Sequence, residues 1–161
     1  MTHARSDSHL ASVRGVDCDG EGWELAADLS AGPELLVFYR GSWCFLSRRA
    51  LAALREEEPL FTRQGCQVVL VSVEPTEKMI ELRRRLKLKF RIVADDDLAI
   101  AGAFALPIER RFGCPFPAAI LISPGGQVLF RHVGRTGRDW PDWRQVAAKL
   151  PSEPRVPTGA A

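Results

Sequence analysis

No two of the four cysteines, Cys18, Cys44, Cys66 and Cys114, stand close enough in sequence to form a C-x-x-C pair. A structural zinc site normally brings at least one close pair, so no metal is expected, and a chain of this size needs no disulfide staples. One or two reactive thiols among buried ones are what remains. Long apolar runs are lacking too: the longest, residues 98–107, is too short to cross a bilayer and reads as a buried helix. Near the start stand His3, Arg5, Asp7, His9 and Arg14, with no stretch apolar enough for a signal-peptide core. The expectation is a cytoplasmic protein without a membrane partner. Charge of one sign is also scarce, since the formal net charge is only +2 and the basic residues are scattered, which gives no pull toward nucleic acid. The densest basic run, Arg83-Arg84-Arg85, follows Glu77, Lys78 and Glu81 on one predicted helix and reads as a solvated face. No internal repeat is visible.

What is present suits one folded domain: 161 residues, of which 46% are hydrophobic. A flexible segment over residues 1–15, a domain over 16–150 and a disordered tail over 151–161 are expected, the tail because prolines crowd it. Residues 20–29 read as a short hairpin or a strand followed by a turn. Residues 35–39 are apolar without alternation, as in a central strand covered on both faces. From residue 43 to about 58, Leu46, Ala50, Leu51 and Leu54 keep helical spacing, and Pro59 punctuates. A β-branched strand over 67–73, a helix from Thr76 to about residue 88 and a strand over 90–94 follow. Asp95, Asp96 and Asp97 then supply capping carboxylates for a helix over 98–106. Strands over 118–122 and 127–133 meet through Ser123-Pro124-Gly125-Gly126, and a helix over 140–150 closes the domain. This order, β-α-β-α-β-α-β-β-α, predicts an α/β fold of three layers, a parallel half closed by an antiparallel hairpin.

The reactive candidate is Cys44, which ends the segment Leu35-Leu36-Val37-Phe38-Tyr39-Arg40-Gly41-Ser42-Trp43-Cys44, where a strand passes through a short turn into a helix. The first N–H groups of a helix lack intrahelical partners and stabilise a thiolate placed beside them. Arg40, Arg48 and Arg49 flank the position and are candidate cations.

Three stretches carry a resemblance: Phe38-Tyr39-Arg40-Gly41-Ser42-Trp43-Cys44, then residues 65–73 from Gly65 to Val73, then Phe116-Pro117-Ala118-Ala119-Ile120-Leu121-Ile122 with the turn that follows. Over roughly residues 20–150 the chain resembles the peroxiredoxin-like redoxins of the alkyl hydroperoxide reductase and thiol-specific antioxidant family, within the thioredoxin-like superfamily. The resemblance implies a central mixed sheet flanked by helices, with Cys44 as the redox nucleophile and Pro117 as the cis-proline that turns the backbone of Phe116 toward it. Arg40, Ser42, Trp43 and Ser47 would complete the site. It also implies an antioxidant oxidoreductase without bound cofactor, with a peroxide or disulfide as substrate, thioredoxin or a low-molecular-weight thiol as reductant, and pairing into homodimers.

The chain departs from the family pattern in three places. Ser47 stands where a dithiol redoxin has its second cysteine, so C-x-x-C reduction is excluded. Phe45 replaces the usual proline after the cysteine. Val37 and Gly41 occupy the positions of the peroxiredoxin Pro and Thr, and no Arg sits directly ahead of the strand at Ala118. Cleaving an O–O bond needs donors aimed at the oxygens, for which Ser42 and either Arg131 or Arg135 are candidates. Oxidised Cys44 would be restored by an external thiol or by an internal one. Cys114, three residues ahead of Pro117, is the best internal candidate; Cys66 reads as buried, and Cys18 lies in the segment expected to be mobile. The expectation is a thiol-dependent oxidoreductase acting through Cys44. A degenerate redoxin-fold binding or sensor protein and a monothiol disulfide-exchange protein remain open beside it.

Overall fold

The structure, a computed structural model, describes residues 9–152. Strands β1 (Arg14–Asp17) and β2 (Gly22–Glu24) pair antiparallel with Gly15 opposite Trp23. The chain then turns directly into helix α1 (Leu25–Ala31), whose Leu25 and Leu29 are buried. This corrects the reading of residues 20–29: only their first half is strand, and apolar residues four apart belong to a helix face. Residues 9–15 are packed rather than flexible. Leu10 and Val13 are buried, and the Leu25 amide donates to the Val13 carbonyl at 3.0 Å. The rest of the segment expected to be flexible, and the tail from residue 153, lie outside the described residues.

Strand β3 (Glu34–Phe38) leads into α2 (Phe45–Glu56). Pro59 does more than end that helix, because it sits in the first turn of a second one, α3 (Glu58–Thr62), where its missing N–H costs nothing. Then come β4 (Gln67–Ser72), α4 (Thr76–Leu86), β5 (Arg91–Ala94) and α5 (Ala99–Ala103). As expected, the aspartates before α5 cap it: both carboxylate oxygens of buried Asp95 accept amides, from Ile100 at 2.8 Å and Ala101 at 2.9 Å. A small hairpin that sequence reading missed follows, β6 (Ile108–Glu109) with β7 (Cys114–Pro115), in a sheet of its own. The chain finishes with β8 (Ala118–Ile122), β9 (Val128–Val133) and α6 (Trp143–Ala147). The last helix is shorter than periodicity suggested, because Asp142 caps it by accepting the Arg144 amide at 2.9 Å.

The main sheet has seven strands in the order β2-β1-β5-β4-β3-β8-β9. Strands β5, β4 and β3 are parallel, and antiparallel partners close both sides. Every residue of β3 is buried, and its side chains divide between two cores by the two-residue period of a strand. Leu35 and Val37 face Leu51, Leu54, Phe61, Met79, Leu82 and Trp143, so α2, α3, α4 and α6 cover that face. Leu36 and Phe38 face Leu25, Leu29, Ile100 and Ala101, so α1 and α5 cover the other. The expected three-layer α/β arrangement of a mixed sheet between helices is what forms. Its consequence for function is positional, since Phe38 pairs with Val71 and Ala118 at the end of β3 where the turn to Cys44 begins.

At the opposite end of β3, the Trp23 indole N–H is shared between Asp28 Oδ2 at 3.0 Å and Glu34 Oε1 at 3.2 Å. Glu34 is fully buried, and its other carboxylate oxygen has no partner among the described residues. Burial, then the neighbouring Asp28, push the Glu34 carboxyl up to about 9 from an ordinary 4.5. The folded state therefore binds a proton that the unfolded chain releases, and this contribution is full below about 4.5 and is lost as pH rises toward 9. Unfolding by urea should show a midpoint that falls across this window, and Glu34→Gln, which keeps the neutral form at every pH, should flatten the fall.

Candidate active site

Cys44 is the residue just before α2, in extended conformation, with its amide donating to the Gly41 carbonyl at 3.1 Å. The turn ahead of it is held from below by Glu74. That carboxylate accepts the Ser42 amide at 3.0 and 3.1 Å and the Ser42 hydroxyl at 2.7 Å. Ser42 was expected to offer its hydroxyl to the substrate, and the structure corrects this: Glu74 is the stronger acceptor and draws the hydroxyl away from the thiol. Glycine at position 41 has a steric cause, since a Cβ there would collide with the Trp43 indole.

Arg40 supplies the cation. Its side chain is buried, Nη1 donates to Cys44 Sγ at 3.4 Å, and Nε and Nη2 donate to the two oxygens of Glu109, each at 2.9 Å. The guanidinium also lies 5.0 Å from the Trp43 ring centre and 4.7 Å from that of Phe112, and the two rings stack with centres 4.8 Å apart. Gly137 leaves the room it occupies, because a Cβ there would meet Nη1. Arg48 is spent elsewhere, on the Ser42 carbonyl at 2.7 Å, and Arg49 lies exposed. Arg131 and Arg135 are exposed as well.

Ser47, the residue in place of a second cysteine, is fully buried, and its Oγ accepts the Arg40 amide at 3.2 Å. Burial pushes the Cys44 thiol up, but the Ser47 amide and hydroxyl, the Arg40 guanidinium and the Leu46 amide together bring it below its ordinary value. A helix start and a cation thus act on one sulfur.

Cys114 lies on β7 directly opposite Glu109 of β6. Its thiol is held above its ordinary value, first by burial and then by the Glu109 charge, against a smaller pull from Arg40; the Cys44 thiolate adds to the rise. Cys44 and Cys114 therefore share the influence of Arg40. The other two thiols stay out of it. Burial pushes Cys66 up to about 12, and Cys18, expected in a mobile segment, is buried at the end of β1 and likewise raised by burial.

Pro117 is also corrected: no cis peptide bond occurs among the described residues, and the Phe116–Pro117 bond is trans, the usual state of an X–Pro bond. The Phe116 amide donates to the Pro107 carbonyl at 3.3 Å, and the Gly134 amide to the Pro117 carbonyl at 2.7 Å, which carries the chain straight into β8. Trp43 keeps its place at the site but as an exposed ring over Arg40, and Phe45 beside it is the most exposed of the large apolar residues. Glu74, Glu109 and Phe112 were missed, and no local sequence signal marks them.

The AhpC/TSA family model matches residues 8–131. The thiol-disulfide oxidoreductase ResA of Geobacillus thermodenitrificans is 27% identical over 111 residues, 68% of this chain and 60% of its own length. The chain thus spans about 60% of the length of that relative. Among solved structures, the Xanthomonas campestris bacterioferritin comigratory protein superposes with a TM-score of 0.76 at 19% identity, over 89% of this chain and 92% of its own. A secreted Mycobacterium tuberculosis disulfide oxidoreductase homologous to Escherichia coli DsbE superposes with a TM-score of 0.69 at 16% identity, over 89% of this chain and 97% of its own. These structures establish the thioredoxin-like fold.

Alkylation of Cys44 by iodoacetamide at neutral pH should outpace that of Cys66. Arg40→Met or Ser47→Ala should slow it roughly tenfold, the equivalent of one hydrogen bond to a charged group. Labelling followed by peptide mass spectrometry measures this, with circular dichroism to verify the fold of each variant.

Proposed function

The chain belongs to the AhpC/TSA family, and from that premise we propose that it is a thiol-dependent oxidoreductase whose Cys44 thiolate reduces a hydroperoxide. The observation that carries this reading is the Arg40 Nη1 contact with Cys44 Sγ at 3.4 Å, made by a guanidinium that Glu109 holds from behind. Attack on the distal oxygen forms an S–O bond and breaks the O–O bond. The leaving alkoxide or hydroxide takes a proton from solvent, and Cys44 becomes a sulfenic acid, oxidised by two electrons. Arg40 stands where it can donate to the oxygen on which charge develops, the part a donor must play in such a cleavage. In this reading Arg40 compensates for the peroxiredoxin Thr and Arg that the chain lacks.

The Cys114 thiol can then displace the sulfenic oxygen as water, leaving a Cys44–Cys114 disulfide. An external dithiol such as thioredoxin, or two molecules of a low-molecular-weight thiol, returns both sulfurs to the reduced state and is itself oxidised by two electrons. Disulfide exchange is the second reading, and the likeness to ResA favours it. There the thiolate attacks a substrate disulfide and Cys114 releases the mixed disulfide. No bound cofactor takes part in either.

Stopped-flow mixing of reduced protein with hydrogen peroxide, an organic hydroperoxide and a small disulfide separates the two. The peroxidase reading expects Cys44 to be oxidised by a hydroperoxide far faster than a free thiol, with Cys44→Ser inert. In Cys114→Ser the first step should persist while sulfenic acid accumulates in the mass spectrum. Reaction of Cys44 with peroxides no faster than a free thiol would end that reading, and fast reaction with the disulfide alone would leave exchange in its place.

A further inference from the structure

One ion pair acts on both thiols. Arg40 meets Cys44 with Nη1 while its Nε and Nη2 each donate to Glu109, a bidentate arrangement that fixes the plane of the guanidinium. Glu109 in turn lies opposite Cys114 in the β6–β7 register, so its charge is presented to that thiol. The hairpin turn itself is closed on Glu109, whose carbonyl accepts the amides of Phe112 at 3.1 Å and Gly113 at 2.9 Å. Phe112, on that turn, stacks on Trp43, so the hairpin is pinned to the Cys44 turn by an aromatic contact as well as by the ion pair.

We propose that Glu109 is a positioning residue that assigns unequal roles to the two thiols, holding Arg40 against Cys44 so that it attacks, and keeping Cys114 protonated until Cys44 has been oxidised. The inference rests on the reading of Cys44 as the attacking thiol and Cys114 as its partner. The charged and titratable groups facing the pair are Arg40, Glu109 and the two thiols themselves. Arg40 helps to lower Cys44, whereas Cys114 is raised first by burial and then by the Glu109 charge, which together outweigh the pull of Arg40 on it.

The chemical value of this asymmetry lies in order. Two thiolates side by side would compete for the first oxidant, whereas a protonated Cys114 waits. Once Cys44 is a sulfenic acid the thiolate charge has gone, and with it one cause that holds Cys114 up. The second thiol is thereby released toward ionisation by the oxidation of the first. Burial and the Glu109 charge remain, and Glu109 is the part of that restraint a single substitution can remove.

Two variants of the full chain separate the two duties. Glu109→Gln keeps the size and removes the charge, whereas Glu109→Asp keeps the charge and withdraws it from Arg40. The readout is the pH midpoint for alkylation of each thiol, followed by mass spectrometry, because the midpoint reports ionisation whereas the absolute rate also depends on access to the sulfur. Glu109→Gln is expected to lower the Cys114 midpoint and to cut the Cys44-to-Cys114 rate ratio at neutral pH about tenfold. Glu109→Asp is expected to leave the Cys114 midpoint near that of the parent and to raise the Cys44 midpoint. Midpoints unchanged in both variants, with native circular dichroism and thermal unfolding, would overturn the assignment. Alkylation needs no peroxide, so failure of the peroxidase reading and failure of this one are told apart.

Discussion

A buried guanidinium must be paired, and at the tip of this sheet that requirement organises everything around it. Arg40 leaves the end of β3 into the protein, where an uncompensated charge would cost several kcal/mol. Glu109 compensates it with two hydrogen bonds of 2.9 Å, Trp43 and Phe112 cover it with ring faces, and Gly137 leaves it space. The third nitrogen, Nη1, is turned to Cys44. The β6–β7 hairpin is docked by the same pairing, which brings Cys114 within the influence of Arg40 and Cys44.

The departures from the family pattern become intelligible around this group. Gly41 stands where a Thr is usual because the Trp43 indole occupies the space of a side chain there. Ser47 stands where a dithiol protein has its second cysteine, and its hydroxyl ties the Arg40 backbone to the first turn of α2 while lowering the Cys44 thiol. Phe45 after the cysteine leaves a large exposed ring beside the site. The strand-end turn places a cation on the thiol, while no Arg sits directly ahead of Ala118. The redoxin scaffold is retained around these departures.

Much of the fold was legible because its signals are local. The apolar run at 35–39, the β-branched run at 67–73, the capping aspartates and the Ser123-Pro124-Gly125-Gly126 turn all led to the right elements in the right order. The failures were of two kinds. Helix α1 was hidden because its seven residues follow a strand without a break, and the β6–β7 hairpin because two-residue strands carry no period. At the site, Cys44 and Cys114 were singled out by their place in the chain, and Arg40 was one of several neighbouring cations.

The amino-acid sequence by itself determined that a cysteine opens a helix at the end of a doubly covered strand, and that no second cysteine follows within its first turn. Both depend on spacing along the chain, which periodicity and composition report directly. Only the tertiary structure decided that Arg40 serves that cysteine, that Ser42 turns to Glu74 and that Glu109 completes the group. Arg40 and Glu109 are 69 residues apart, and a buried charge takes its partner from whichever loop the sheet brings alongside.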